Sequence, residues 1–475
     1  MLFPTIDFAI FFAVVFALHW LLNPYRRAWK WFILAASYLF YAWWDVPLVW
    51  LLALVSALAH LGALWVEAAR SDRVRARRTV VSVVALLLPL AWFKYYGFFA
   101  LSLANAFDQI GVSAPLPLLQ IVLPIGISFY TFMAISYVVD VSRLEITPAP
   151  ALDVFVYLSF FPHLIAGPIV RGNELLPQIR RRRDPGSIDV SRAAFLIFGG
   201  LFKKIVVSSF LAANIVDPVF GAPGSHSALE VLVAIYGYAI VIYADFSGYT
   251  DIAIGVAELL GFSFPKNFER PYAATSLQDF WRRWHITLSR WLRDYLYIPL
   301  GGSRRGEVRT AINIMITMLL GGLWHGAGWT FVAWGGLHGA GQVLGRRRRR
   351  AGSAADAPPE QSSFFTIFRA RVVTFHLVCL GWVFFRAESI GSAFGVLSRL
   401  VTGWTARTAL VTPLVLVAIV GMLMLQNVPR TAAPRLQIGF SRLGPVLQGT
   451  ALAVVLFLIT SLGPQGVAPF IYFRF

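Results

Sequence analysis

Gly321-Gly322-Leu323-Trp324-His325-Gly326-Ala327-Gly328 lies between two apolar runs, about 310–324 and 329–344. Two apolar runs joined by a glycine-rich bend read as a helical hairpin, with His325 at or near its turn. A histidine between a tryptophan and a glycine is costly at membrane depth, where ionisable groups are functional suspects by default. Imidazole is also the side chain best suited to move a proton near neutral pH. The plainer reading is a packing histidine in a helix bend.

The sequence around the hairpin is of the same kind. Of its 475 residues, 58% are hydrophobic and only 13% charged, against about 25% charged in soluble domains. Runs of roughly twenty apolar residues recur from end to end, which predicts an all-α polytopic membrane protein in a single membrane domain, 1–475. The net charge of +18 comes from basic residues clustered in short loops, the positive-inside pattern, so nucleic acid is not an expected partner. Expected spans are about 5–22, 30–44, 47–67, 79–103, 119–139, 192–217 and 229–262, the last broken around Asp245 to Gly248. The hairpin arms and spans at 366–385, 410–427 and 444–462 follow, giving eleven or twelve in all. Arg70–Arg78, Arg180–Arg183, Arg430 and Arg435 fall inside, 111–118 outside, and both termini outside. Residues 346–363, an arginine run followed by Ala/Ser/Pro-rich sequence, read as a flexible cytoplasmic loop. No Lys or Arg precedes the first apolar run, so it reads as an uncleaved helix.

Two segments depart from plain spans. The piece 151–169 contains Pro162, His163, Gly167 and Pro168 and reads as re-entrant or interfacial. In 276–298, Trp281, Trp284, Leu288, Trp291, Leu292 and Tyr295 share one helical face, opposite Arg282, Arg283, Arg290 and Arg293. This predicts an amphipathic helix, with His285 at the edge of the apolar face and pointing into protein. Its plainer reading is a helix anchor.

Other candidates weigh less. Asp245 and Asp251 could do acid–base or cation work, but a structural polar network is the simpler account. His163 and Arg171 could line an opening. His338 reads as packing; His19, His60, His226 and His376 have no chemical context. The one cysteine, Cys379, is a core residue by its apolar setting, and no Cys/His cluster has zinc spacing, so no metal is expected. There is no P-loop, G-x-S-x-G, G-x-G-x-x-G, H-E-x-x-H or C-x-x-C, which argues against ATP-driven, metalloprotease and nucleotide-redox chemistry. The aromatic tail Pro469-Phe470-Ile471-Tyr472-Phe473-Arg474-Phe475 reads as an interfacial belt, or as a segment that presents Tyr472 to a lumen.

Taken in order, several stretches resemble the membrane-bound O-acyltransferase (MBOAT) family, in particular its bacterial branch, typified by the alginate O-acetyltransferase membrane subunit. They are Leu123-Pro124-Ile125-Gly126-Ile127-Ser128-Phe129-Tyr130-Thr131-Phe132, Phe160 to Ile169, Asp245 to Asp251, Phe280-Trp281-Arg282-Arg283-Trp284-His285-Ile286 through Gly302, and Gly322-Leu323-Trp324-His325-Gly326. Together they delimit a family core at about 120–340, with the tail 469–475 as a further match. His163 stands where the family usually has Gln, so no role is carried over to it.

The resemblance implies that His325 is the catalytic histidine and that His285 occupies a second polar site, filled by Asn or His across the family. It implies a central tunnel joining a cytoplasmic funnel, for a thioester donor, to an extracytoplasmic one. It also implies a tail whose Tyr472 takes the acyl group before a partner enzyme does. Chemically, O-acyl transfer needs a base for the hydroxyl proton, for which neutral His325 is suited, and a donor to the oxyanion, for which bend N–H groups or His285 are suited.

The expectation is an O-acetyltransferase of a bacterial cytoplasmic membrane. Acetyl-CoA or another acyl thioester is the donor and no cofactor is bound. An extracytoplasmic acyl-handling protein is the partner and a polysaccharide the final acceptor. A lipid or carrier-protein-fed acyltransferase and a non-enzymatic transporter are the alternatives.

Overall fold

The computed structural model describes residues 1–112, 119, 121–350, 363–429 and 431–462, apart from the side chains of residues 349 and 350. Tyr472, Arg430, nearly all of 111–118 and most of the expected loop 346–363 lie outside the described residues. The described residues form helices and no strand, in two compact units: Met1–Val190 with Val256–Pro265, and Ser191–Gly255 with the chain from Lys266 onward.

The first unit contains α1 (Ile6–Leu22), α2 (Arg26–Ala42), α3 (Val49–Glu67), α4 (Asp72–Leu90), α5 (Tyr96–Gln109), α6 (Ile127–Ser142), α7 (Ala151–Ser159), α8 (Phe161–Leu164) and α9 (Gly172–Arg180). Glycine permits close packing here: a Cβ on Gly62 of α3 would lie 3.0 Å from the Ser82 hydroxyl of α4. Buried Asp153 on α7 binds both Lys30 and Arg180, which ties α2, α7 and α9 together. The irregular stretch expected within 151–169 is present. α7 ends at Ser159, α8 is one turn with Pro162 at its start, and the chain beyond Leu164 is non-helical until α9. Side chains of the unit reach its backbone, the Tyr157 hydroxyl donating to the Val170 carbonyl at 3.0 Å, the kind of partner buried irregular backbone requires.

The second unit contains α10 (Val190–Leu201), α11 (Ser209–Leu211), α12 (Asp217–Gly221), most of α13 (Ala228–Leu259), α14 (Leu277–Arg283), α15 (Ile286–Leu292), α16 (Gly306–His325), α17 (Trp329–Arg350), α18 (Phe364–Arg386), α19 (Ile390–Thr402), α20 (Pro413–Leu425), α21 (Ala432–Ser441) and α22 (Pro445–Leu462). Six described helical stretches are long and apolar enough to cross a membrane by length and composition: Val46–Glu67, Asp72–Gln109, Val190–Gly221, Ala228–Leu259, Phe364–Arg386 and Pro445–Leu462. The other expected spans fall on α1, α2, α6, α16, α17 and α20, which are shorter or more polar.

Two expectations are corrected. α13 is not broken at Asp245 to Gly248 but runs continuously from Ala228 to Leu259. Its acids need no break because a neighbouring segment reaches them. Lys204 binds Asp245, and Lys203 binds Asp251 and the Ser247 hydroxyl. The irregularity lies on that neighbour, where π-helical turns Phe202–Ser208 and Ala212–Val216 interrupt the helix. A Cβ on Gly248 would lie 2.7 Å from the Gly200 carbonyl, so both helices need glycine at this crossing.

Nor is 276–298 one amphipathic helix. α14 ends at Arg283, α15 starts at Ile286, and a π-turn follows at Arg293–Tyr297. The arginines 346–350 extend α17 rather than opening a loop at once.

Candidate active site

The hairpin is built by glycine. On α16, a Cβ at Gly322 would collide with the Phe331 carbonyl, and on α17 a Cβ at Gly335 would collide with the Met318 carbonyl. The two arms therefore touch backbone to backbone. Gly326, just past the end of α16, is covered by the Phe331 ring. The glycines flanking His325 thus serve the close approach of the second arm. His325 is the last residue of α16 and is buried.

His285 is placed by the break between α14 and α15. Its φ of 42° and ψ of 55° put it in the left-handed region, which costs a non-glycine residue about 1–3 kcal/mol and persists only where the surroundings over-determine it. The surroundings do so from both sides. Before the break, the Trp284 ring stacks on Phe280 at 5.5 Å and meets Trp382 at 5.0 Å. After it, Asn267 caps α15: its carbonyl accepts the Ile286 N–H at 2.9 Å, and its side-chain oxygen accepts from the Thr287 N–H and hydroxyl. The expectation that His285 points into protein holds, for a different reason: the imidazole is fully buried at a kink, its ring 4.6 Å from Phe246.

These two placements bring the two expected histidines together, with ring centroids 6.3 Å apart. At that separation one oxygen atom can lie within hydrogen-bond reach of both rings. Around His325 stand Trp324 and Trp334 at 5.0 Å and Phe385 at 5.2 Å. Sequence reasoning missed Phe246, Trp334 and Phe385 as neighbours of the pair. Phe246 lay inside a quoted motif, whereas Phe385 comes from α18 and carries no local signal.

A cavity of about 560 Å³ has Ile286, the residue after His285, in its lining. Arg282, Arg290, Arg293 and Arg346 line it together with Trp281, Ile286, Leu292, Thr317 and Met318, and no carboxylate is among its lining residues. α16 links it to His325. Ile314, Thr317 and Met318 line the cavity, and Gly321, Gly322 and His325 continue the same helical face at spacings of three and four. Met318 and His325 are two turns apart, about 10 Å at 1.5 Å per residue. Between them the Leu292 side chain covers Gly321, with its Cδ1 3.2 Å from where a Cβ would be.

The remaining candidates have structural partners. His338 accepts a hydrogen bond from the Trp281 indole N–H at 3.2 Å, so its proton belongs on Nε2. His163 is in the first unit, donating from Nε2 to the Tyr157 carbonyl at 2.9 Å with its ring stacked on Phe264. Arg171 is the N-cap of α9: its backbone N–H donates to the Glu174 carboxylate at 3.1 Å, and its carbonyl accepts the Glu174 N–H at 3.0 Å. His19 accepts from the Trp29 indole, His376 pairs with the Tyr236 hydroxyl, and Cys379 is buried in α18.

The family model described as MBOAT, the membrane-bound O-acyltransferase family, matches residues 35–347, a stretch that includes both histidines and every residue named as lining the cavity. The chain belongs to the membrane-bound O-acyltransferase family. Among relatives of this MBOAT chain, the probable alginate O-acetylase AlgI of Azotobacter vinelandii is 36% identical over the whole of both chains. The protein of the same name from Pseudomonas aeruginosa is 41% identical over 76% of this chain and 68% of its own length. The peptidoglycan O-acetyltransferase of Helicobacter pylori is 35% identical over 78% of this chain and 73% of its own. This MBOAT protein is therefore a multi-pass membrane acyltransferase, and the transporter alternative is set aside.

Proposed function

We propose that this acyltransferase moves an acetyl group from a cytosolic thioester to a hydroxyl of an extracytoplasmic polysaccharide, in a bacterial cytoplasmic membrane. The observation that carries the reading is the buried pair His285 and His325, 6.3 Å apart, with His325 on the face of α16 whose earlier residues Ile314, Thr317 and Met318 line the basic cavity. Positive-inside logic puts the arginines of that cavity on the cytoplasmic side. A phosphorylated donor suits them, because guanidinium binds phosphate in a fork geometry.

In the transfer, neutral His325 takes the proton of the attacking hydroxyl as its oxygen bonds to the thioester carbon. The oxyanion is met by a donor from His285 or by N–H groups of the bend. Collapse breaks the carbon–sulfur bond, and the leaving thiolate takes the proton back from His325. The attacking hydroxyl is that of the acceptor or, in a relay, that of Tyr472, which a partner protein then relieves of its acetyl group.

The four arginines would serve a carrier-protein thioester as well as a coenzyme A thioester, since the first presents a phosphate diester and the second a diphosphate, so a carrier-fed donor is the second reading.

The test is mass spectrometry of the purified protein after incubation with labelled acetyl-CoA or acetyl-carrier protein, for wild type and His325→Ala. Acetyl on Tyr472 in wild type alone, from one of the two donors, supports the whole sequence of steps. Polysaccharide acetylation in vesicles that survives His325→Ala sinks it.

A further inference from the structure

Resting on that reading, we infer that the aromatic wall around His325, and Phe385 in particular, limits the transferred group to acetyl-sized acyl chains. Ring centroids 5 Å apart are in contact. Trp324, Trp334 and Phe385 all stand at that distance from the imidazole. The wall is more than one ring thick. Behind Phe385 lie Phe331 at 5.0 Å and Trp382 at 5.3 Å, and Trp334 stacks on Trp382 at 5.9 Å.

The acyl group is the leading end of the donor. To bring the thioester carbon to His325, the carbons beyond it must lie among these rings. A methyl group asks the least room of them; each further methylene has to displace more of a close-packed wall.

Phe385 is the selective position for two reasons. Trp324 is the residue before His325 on α16, so a change there disturbs the proposed base itself. Trp334 is pinned between Trp382 and the Trp281 indole, 5.6 Å away. Phe385 stands one residue before the end of α18, and truncating it leaves a space of the kind that accepts hydrocarbon.

The experiment is a competition. Acetyl-, butyryl- and hexanoyl-CoA, each with a distinct isotopic label, are supplied in equal amounts to membrane vesicles containing the full chain and its acceptor, and the acyl esters formed are counted by mass spectrometry. Ratios from one tube are ratios of kcat/KM and do not depend on how much protein folds.

Wild type is expected to favour acetyl over hexanoyl by about 100-fold or more, a factor in line with pocket discrimination of one or a few methylenes. Phe385→Ala is expected to raise the hexanoyl-to-acetyl ratio at least tenfold. Phe385→Leu, which keeps an apolar core side chain, is expected to raise the butyryl ratio and is the variant to use if alanine does not accumulate. Equal use of acetyl and hexanoyl by wild type overturns the inference, as do unchanged ratios in the variants. The same competition is run with the three acyl groups on a carrier protein, and equal use of acetyl and hexanoyl from whichever donor class is used overturns the inference as well. Transfer from neither donor class overturns the parent reading and this one with it.

Discussion

Two groups of polar side chains are embedded in apolar helices of the second unit, and they are treated in opposite ways. Lys203 and Lys204 meet Asp251 and Asp245 as opposite charges, with Lys204 and its partner almost completely buried. His285 and His325 lie side by side as two like groups and are walled by aromatic rings. The first arrangement cancels charge and fixes one geometry, which suits a structural joint. The second sets two groups able to take or give a proton side by side, which suits chemistry. Burial of a polar group at membrane depth therefore does not by itself mark a site; what surrounds the group decides.

The largest expected effect comes from removing the proposed base. His325→Ala should lower the transfer rate by about 10³-fold or more, the scale of a lost general base in a preorganised site, with no loss of folded protein on gel filtration. Removing one member of the structural pair should do the reverse. Lys204→Met leaves Asp245 buried without its lysine and should cost about 3–5 kcal/mol of stability, read as a lowered melting temperature in detergent, and the double variant Lys204→Met/Asp245→Asn should recover most of it. If the single variant melts normally but loses transfer, the contrast between the two groups fails.

A subtler division is expected at His285. Asparagine tolerates the left-handed region and valine does not. His285→Asn should keep a near-normal melting temperature, while His285→Val should lose about 1–3 kcal/mol more. The smallest effect is expected at the cavity rim. Arg290→Gln should raise the apparent KM for a phosphorylated donor several-fold with kcat little changed, and added salt should narrow the gap between variant and wild type.

The hairpin was legible because both its cues, an apolar run and a glycine-rich bend, are local, and His325 is where those cues put it. The unbroken course of α13 was not legible: its acids are satisfied by lysines some forty residues away, and spacing within a helix says nothing about such partners. The kink at His285 was missed for a related reason. Trp281, Trp284, Leu288 and Trp291 keep helical periodicity across it because the same aromatic core covers both pieces, while the cap that starts the second piece comes from Asn267. Phe385 was invisible for want of any motif. Periodicity reports which face is apolar; it does not report where the backbone turns between two stretches of that face.

The left-handed backbone at His285 also restricts which residues can occupy the position. Under the proposed function, a residue there has to satisfy a proton-handling or hydrogen-bonding role and a torsional filter at once. Outside glycine, the residues most at ease at positive φ are asparagine, aspartate and histidine, and aspartate would bring a buried charge. That leaves a two-letter alphabet, Asn and His, the pair that the family resemblance assigns to the second polar site. In a saturation library covering position 285, the survivors should be set by backbone torsion before chemistry selects among them.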